Sequence, residues 1–131
     1  MTPTFNWNVQ YGDNKDSDSF EEKGAIDYQS FINELSQFPW LDEIRKANRA
    51  LQCSPTLTVV DKNSGYDLFV SGYGEDDGSN TYFMVGLVCS PSGIFKRRKV
   101  ITIETKSLDS VARVYDAFFK QDFDLVKSLL K

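Results

Sequence analysis

Residues 56–89 read TLTVVDKNSGYDLFVSGYGEDDGSNTYFMVGLVC, and this stretch decides the fold. Three runs rich in β-branched and aromatic residues stand in it, at Thr56 to Asp61, Tyr66 to Tyr73 and Thr81 to Cys89. They are separated by Lys62-Asn63-Ser64-Gly65 and by Gly74-Glu75-Asp76-Asp77-Gly78-Ser79-Asn80, both turn chemistry of hairpin length or slightly longer. The pattern predicts three consecutive antiparallel strands.

Towards the N-terminus, Phe5, Trp7, Val9 and Tyr11 alternate with Asn6, Asn8 and Gln10, the period of a strand that packs one face on a core. The polar segment from Gly12 to Ser19 reads as an exposed loop. From Asp27 the period changes, because Tyr28, Phe31, Ile32 and Leu35 share one helical face that Asp27 or a nearby residue can cap. Pro39 stops this helix, since proline disfavours helical geometry at Phe38. A second helical face then carries Trp40 or Leu41, Ile44, Ala47 and Leu51; the pattern fits two helices or one kinked helix equally.

Towards the C-terminus, Ser90-Pro91-Ser92-Gly93 precedes a strand from Lys99 to Thr105. Ser107 then caps a helix bearing Leu108, Val111, Ala112, Tyr115, Phe118 and Phe119, and Gln121-Asp122 interrupts it before Phe123, Val126, Leu129 and Leu130 resume the apolar face. The expectation is a single α+β domain over residues 1–131. Its antiparallel sheet has about five strands with helices packed on one face, in the order β-α-α-β-β-β-β-α.

With 131 residues, 40% of them hydrophobic, the chain is long enough for one core without a metal or disulfide staple. The net charge of −4 repels a phosphate backbone, and the one basic run, Lys96-Arg97-Arg98-Lys99, reads as a strand edge protected against pairing. The first residues carry no basic segment followed by an apolar run, and no stretch approaches the roughly 18 apolar residues of a membrane span. A cytoplasmic protein with neither nucleic acid nor membrane as partner is therefore expected. Cys53 and Cys89 form no framework and read as buried free thiols; their separation leaves a disulfide open.

Histidine is absent. Its absence removes serine and cysteine nucleophiles activated by imidazole, and imidazole as base or ligand. Carboxylates are plentiful but cluster in loops rich in glycine and serine, where water keeps them ionised and idle. Asn14, Asp16 and Asp18 alternate like calcium ligands, yet Ser19 stands at the turn-glycine position and Ala25 at that of the closing glutamate. Gly72-Tyr73-Gly74 and Gly78 precede no lysine or helix start, so they make a hairpin turn rather than a phosphate cradle. No catalytic residue, metal or cofactor is expected.

What remains is surface. Two acidic loops, Asp13 to Glu22 and Glu75 to Asp77, neighbour the aromatics Tyr11, Phe20, Tyr73 and Tyr82, a mixture of steering charge and anchoring area suited to a basic target. Asp13, Asp16, Asp18, Tyr73, Glu75, Asp76 and Asp77 are the partner-binding candidates. The plainer alternative is that the acids keep loops hydrated while the aromatics face the core.

Phe38-Pro39-Trp40-Leu41, Ser54-Pro55-Thr56-Leu57-Thr58-Val59, Asp67-Leu68-Phe69-Val70-Ser71-Gly72 and Tyr82-Phe83-Met84-Val85, taken as a series, resemble the small immunity proteins of bacterial polymorphic toxin and contact-dependent growth inhibition systems. The likeness covers about residues 38–88 and lies in size, acidity and strand order. It implies a cytoplasmic protein that neutralises a cognate toxin domain, often a nuclease with a basic cleft. The candidate residues rest on charge and loop placement, not on this likeness. The chain also resembles type III secretion chaperones in size and acidity, although those begin with a helix and this chain with a strand. An enzyme would need a depressed thiol pKa at Cys53 or Cys89, which no sequence neighbour supplies.

Overall fold

The structure, a computed structural model, describes residues 5–12, 21–50, 54–75, 80–89 and 99–131. Six strands form one antiparallel sheet: β1 (Phe5–Gln10), β2 (Glu21–Ala25), β3 (Thr56–Asp61), β4 (Asp67–Gly74), β5 (Thr81–Cys89) and β6 (Lys99–Thr105). Their spatial order is β2-β1-β3-β4-β5-β6. The helices are α1 (Tyr28–Gln37), α2 (Trp40–Ala50), α3 (Leu108–Phe119) and α4 (Phe123–Leu129).

The alternation in β1, β3 and β4 sorts side chains onto two faces, as the sequence requires. Phe5, Trp7, Val9, Leu57, Val59, Leu68, Val70, Phe83, Val85 and Leu87 are buried, and they join Phe31, Leu35, Trp40, Ile44, Tyr115, Phe118 and Val126 of the four helices in one cluster. Among the described residues, every helix packs on that side. The other face carries half-buried Asn6, Asn8, Gln10, Thr56, Thr58, Phe69, Tyr73, Tyr82 and Met84.

Two elements correct the expected order. β2 begins inside what reads as the acidic loop Asp13 to Glu22: Glu21-Glu22-Lys23-Gly24-Ala25 has no apolar alternation and is a strand because the free edge of β1 supplies its pairing, with a register shift at Trp7/Asn8. The acids Glu21 and Glu22 are therefore strand residues, not loop residues. The C-terminal helical pattern divides into α3 and α4 at Gln121, whose φ of 59° is left-handed. The Gln121 N–H donates to the Phe118 carbonyl (2.9 Å) and that of Asp122 to the Ala117 carbonyl (3.0 Å), the paired bonds that close a helix C-terminus. Asp122 then caps α4 by accepting from the Leu125 N–H. Elsewhere caps fall where the sequence puts them: Asp27 accepts from the Ser30 N–H, and Ser107 from the Ser110 N–H.

Burial also corrects the expectation that the acids are all hydrated. Asp61 is fully buried at the end of β3, accepting from the Asn63 N–H, the Ser64 hydroxyl and the Gln121 amide. That last bond explains why glutamine occupies a left-handed position that glycine would fill with less strain. Tyr115, also fully buried, donates its hydroxyl to the Leu68 carbonyl at 2.9 Å, and desolvation pushes its phenol well above the ordinary range. No described helix is long and apolar enough to cross a membrane.

Candidate binding surface

The face of the sheet opposite the described helices ends in an aromatic and charged corner where β4, β5 and β6 finish or begin. Tyr73 lies directly opposite Tyr82 in the β4–β5 register, and Met84 opposite Glu104 in the β5–β6 register. The two tyrosine rings stack with centroids 5.7 Å apart and planes at 21°. The Tyr73 hydroxyl donates to Glu104, and the Lys106 ammonium lies 4.9 Å from the Tyr82 ring centre. Desolvation, then the hydrogen bond and the charge of Glu104, push the Tyr73 phenol up to about 12, so it stays a neutral donor at neutral pH.

Beside this corner the face is flattened by a missing side chain. A Cβ on Gly86 would lie 2.3 Å from Cζ of Phe69, so the ring occupies the space over the glycine and reaches across β5 towards Thr102. A bulky residue at position 86 would lift the ring and break the surface.

Helix α2 fixes this end of the sheet from the opposite side. Glu43, only 4% exposed, accepts the Gly12 N–H at 2.9 Å and holds Lys46 at 2.9 Å with its other oxygen. The chain is pressed so closely here that a Cβ on Gly12 would meet the Glu43 carbonyl oxygen at 2.0 Å. One turn further on, the Asn48 amide donates to the Gly74 carbonyl at 3.0 Å, and Gly74 itself has a φ of 150°. The Glu75 N–H closes the hairpin onto the Asn80 carbonyl. A single helix thus grips the residue that precedes the acidic segment 13–20 and the residue that precedes the acidic segment 75–77.

Of the partner-binding candidates, Tyr73 and Glu75 fall at this corner, Tyr73 half-buried on the open face and Glu75 exposed at the hairpin. Asp13, Asp16, Asp18, Asp76 and Asp77 lie outside the described residues, as do Phe20, Cys53 and the basic Lys96, Arg97 and Arg98. Tyr11 belongs to the other side of the sheet: it stacks on Phe38 (6.3 Å, 22°) and lines a cleft of about 430 Å³ with Trp7, Lys23 and Glu34. Glu43, Asn48, Glu104 and Lys106 are participants that sequence reading passes over. Glu43 alone leaves a signal, as a charge beside the inward-facing Ile44. Among the described residues no three acidic or sulfur side chains gather as a metal site.

No protein-family model, curated protein or solved structure matches the chain.

Proposed function

We propose that the chain is a cytoplasmic binding protein of the immunity type, which neutralises a partner protein by covering a basic surface such as the cleft of a nuclease toxin domain. The observation that carries this reading is the double grip of α2, through Glu43 on Gly12 and Asn48 on Gly74. Both acidic segments start from the same end of the sheet, and the second follows directly on Tyr73 of the Tyr73–Tyr82 stack. Acidic residues steer a basic partner and raise the association rate, while rigid stacked aromatics supply contact area at small entropic cost. A net charge of −4 has the sign this requires. The likeness to immunity proteins over residues 38–88 supports the same reading.

The test is capture from the native cell followed by kinetics on whatever is captured. Replacing Glu75, Asp76 and Asp77 with lysine should leave the fold intact, slow association and weaken the complex, and the captured protein should be toxic when expressed without this chain. Unchanged association by the folded triple variant would reject the acidic hairpin as the contact, and a harmless captured protein would reject neutralisation.

A further inference from the structure

The two edges of the sheet are built differently. At one edge, β2 is short and charged at Glu21, Glu22 and Lys23, its register slips against β1, and Gly24 adopts a φ of 96°. These are the devices by which sheets discourage pairing at an edge. At the other edge, β6 runs in unbroken register with β5 from Phe83↔Thr105 to Cys89↔Lys99, with no bulge, glycine or proline. Five of its seven residues are β-branched: Val100, Ile101, Thr102, Ile103 and Thr105. Of the basic run Lys96-Arg97-Arg98-Lys99, Lys99 is the first residue of β6 and the other three lie outside the described residues. Val100, at 52%, is the most exposed large apolar side chain among the described residues. Beneath the strand a slot of about 190 Å³ opens between Val85, Ile103, Arg113, Val114 and Leu129.

Among the described residues no strand pairs with this edge, which can therefore accept an extended backbone, and the residues along it say which one. Ile101-Thr102-Ile103 reads the same in both directions. We infer that β6 pairs antiparallel with β6 of a second copy across a two-fold axis at Thr102, joining two six-stranded sheets into one. An axis normal to the sheet keeps inner positions opposite inner and outer opposite outer. Thr102 then faces its own counterpart, a pairing that permits a hydroxyl–hydroxyl hydrogen bond, and Ile101 of each copy faces Ile103 of the other. The second copy's Ile101 closes the open side of the slot beside Ile103, and its Glu104 stands opposite Val100 at the outer rim. The open face with Tyr73 and Tyr82 continues across the junction, so the inference is independent of the reading proposed above.

Sedimentation equilibrium of the full chain should show a concentration-dependent dimer. Thr102 is exposed and outside the core, so Thr102→Lys should keep the far-ultraviolet circular dichroism of the parent, set two ammonium groups against each other at the axis, and raise the dimer dissociation constant at least tenfold. Thr102→Cys should oxidise to a dimer linked through the introduced thiols, as peptide mapping would show, whereas Val100→Cys, displaced from the axis in both copies, should not. A chain that stays monomeric at its highest attainable concentration overturns the inference. So does a dimer that survives in folded Thr102→Lys, or equal crosslinking of the two cysteine variants.

Discussion

Glu43→Ala probes the grip of α2 most directly. The Glu43 carboxylate is 4% exposed and makes two contacts, one to the buried Gly12 N–H and one to the partly exposed Lys46 ammonium, each at 2.9 Å. A buried hydrogen bond to a charged group contributes about 1.5–3 kcal/mol, and its removal leaves the Gly12 N–H without a partner. The Lys46 contact, three residues away on an exposed helical flank with a lysine 45% exposed, adds only about 0.3–0.5 kcal/mol. Glu43→Ala should therefore lower the unfolding free energy by about 2–3 kcal/mol, a change of roughly 30- to 150-fold in the folding equilibrium. Lys46→Ala should cost no more than about 0.5 kcal/mol. Glu43→Gln keeps an acceptor for Gly12 but not the charge, so its cost should be intermediate, near 1 kcal/mol. Guanidinium unfolding gives the totals, and amide hydrogen exchange gives the location: the Gly12 amide should lose more protection than core amides such as Val59. A Glu43→Ala variant within about 0.5 kcal/mol of the parent, or one whose Gly12 amide exchanges in step with the core, would refute the reasoning.

Asp61→Ala strands three donors, the Asn63 N–H, the Ser64 hydroxyl and the Gln121 amide, and should cost about 3 kcal/mol in chemical denaturation, with Asp61→Asn well below that. Gly86→Ala forces the Phe69 ring off the open face and should cost about 1–3 kcal/mol; combined with Phe69→Ala the penalty should largely vanish, which a double-mutant cycle would read. Alkaline pH should destabilise the fold. Tyr73 and Tyr115 both hold their protons to higher pH when folded than when unfolded, so above about 10 the unfolded chain binds fewer protons and stability falls as pH rises towards 12. Spectrophotometric phenolate titration should show Tyr115 ionising only with unfolding, and Tyr73→Phe should flatten the alkaline slope.

Strands rich in β-branched and aromatic residues are legible in the residues themselves: β3, β5 and β6 occupy the positions their composition marks, and Asp27 and Ser107 cap the helices they precede. β2 is not, because its residues contribute little to strand formation and an adjacent edge contributes nearly all. The buried acids are hidden for a related reason. Glu43 accepts from Gly12, 31 positions away, and Asp61 adds Gln121, 60 positions away, to its neighbours Asn63 and Ser64, and no local period records partners at the longer separations. At the candidate surface, charge and turn chemistry point to Tyr73 and Glu75. The strand alternation assigns Tyr11 and Tyr73 to opposite faces, yet grouping them by proximity to acids puts them together. Glu104 and Lys106 carry no such mark because only the β5–β6 register brings them beside the tyrosines.

Fastening Gly12 and Gly74 to one helix has a mechanical consequence. A load applied to either segment passes into α2, and any shift of α2 moves the root of the other, so the pair responds as a two-pronged lever with one fulcrum. Slackening either anchor should therefore loosen Gly12 and Gly74 together, and substitutions along α2 would shift both attachment points at once.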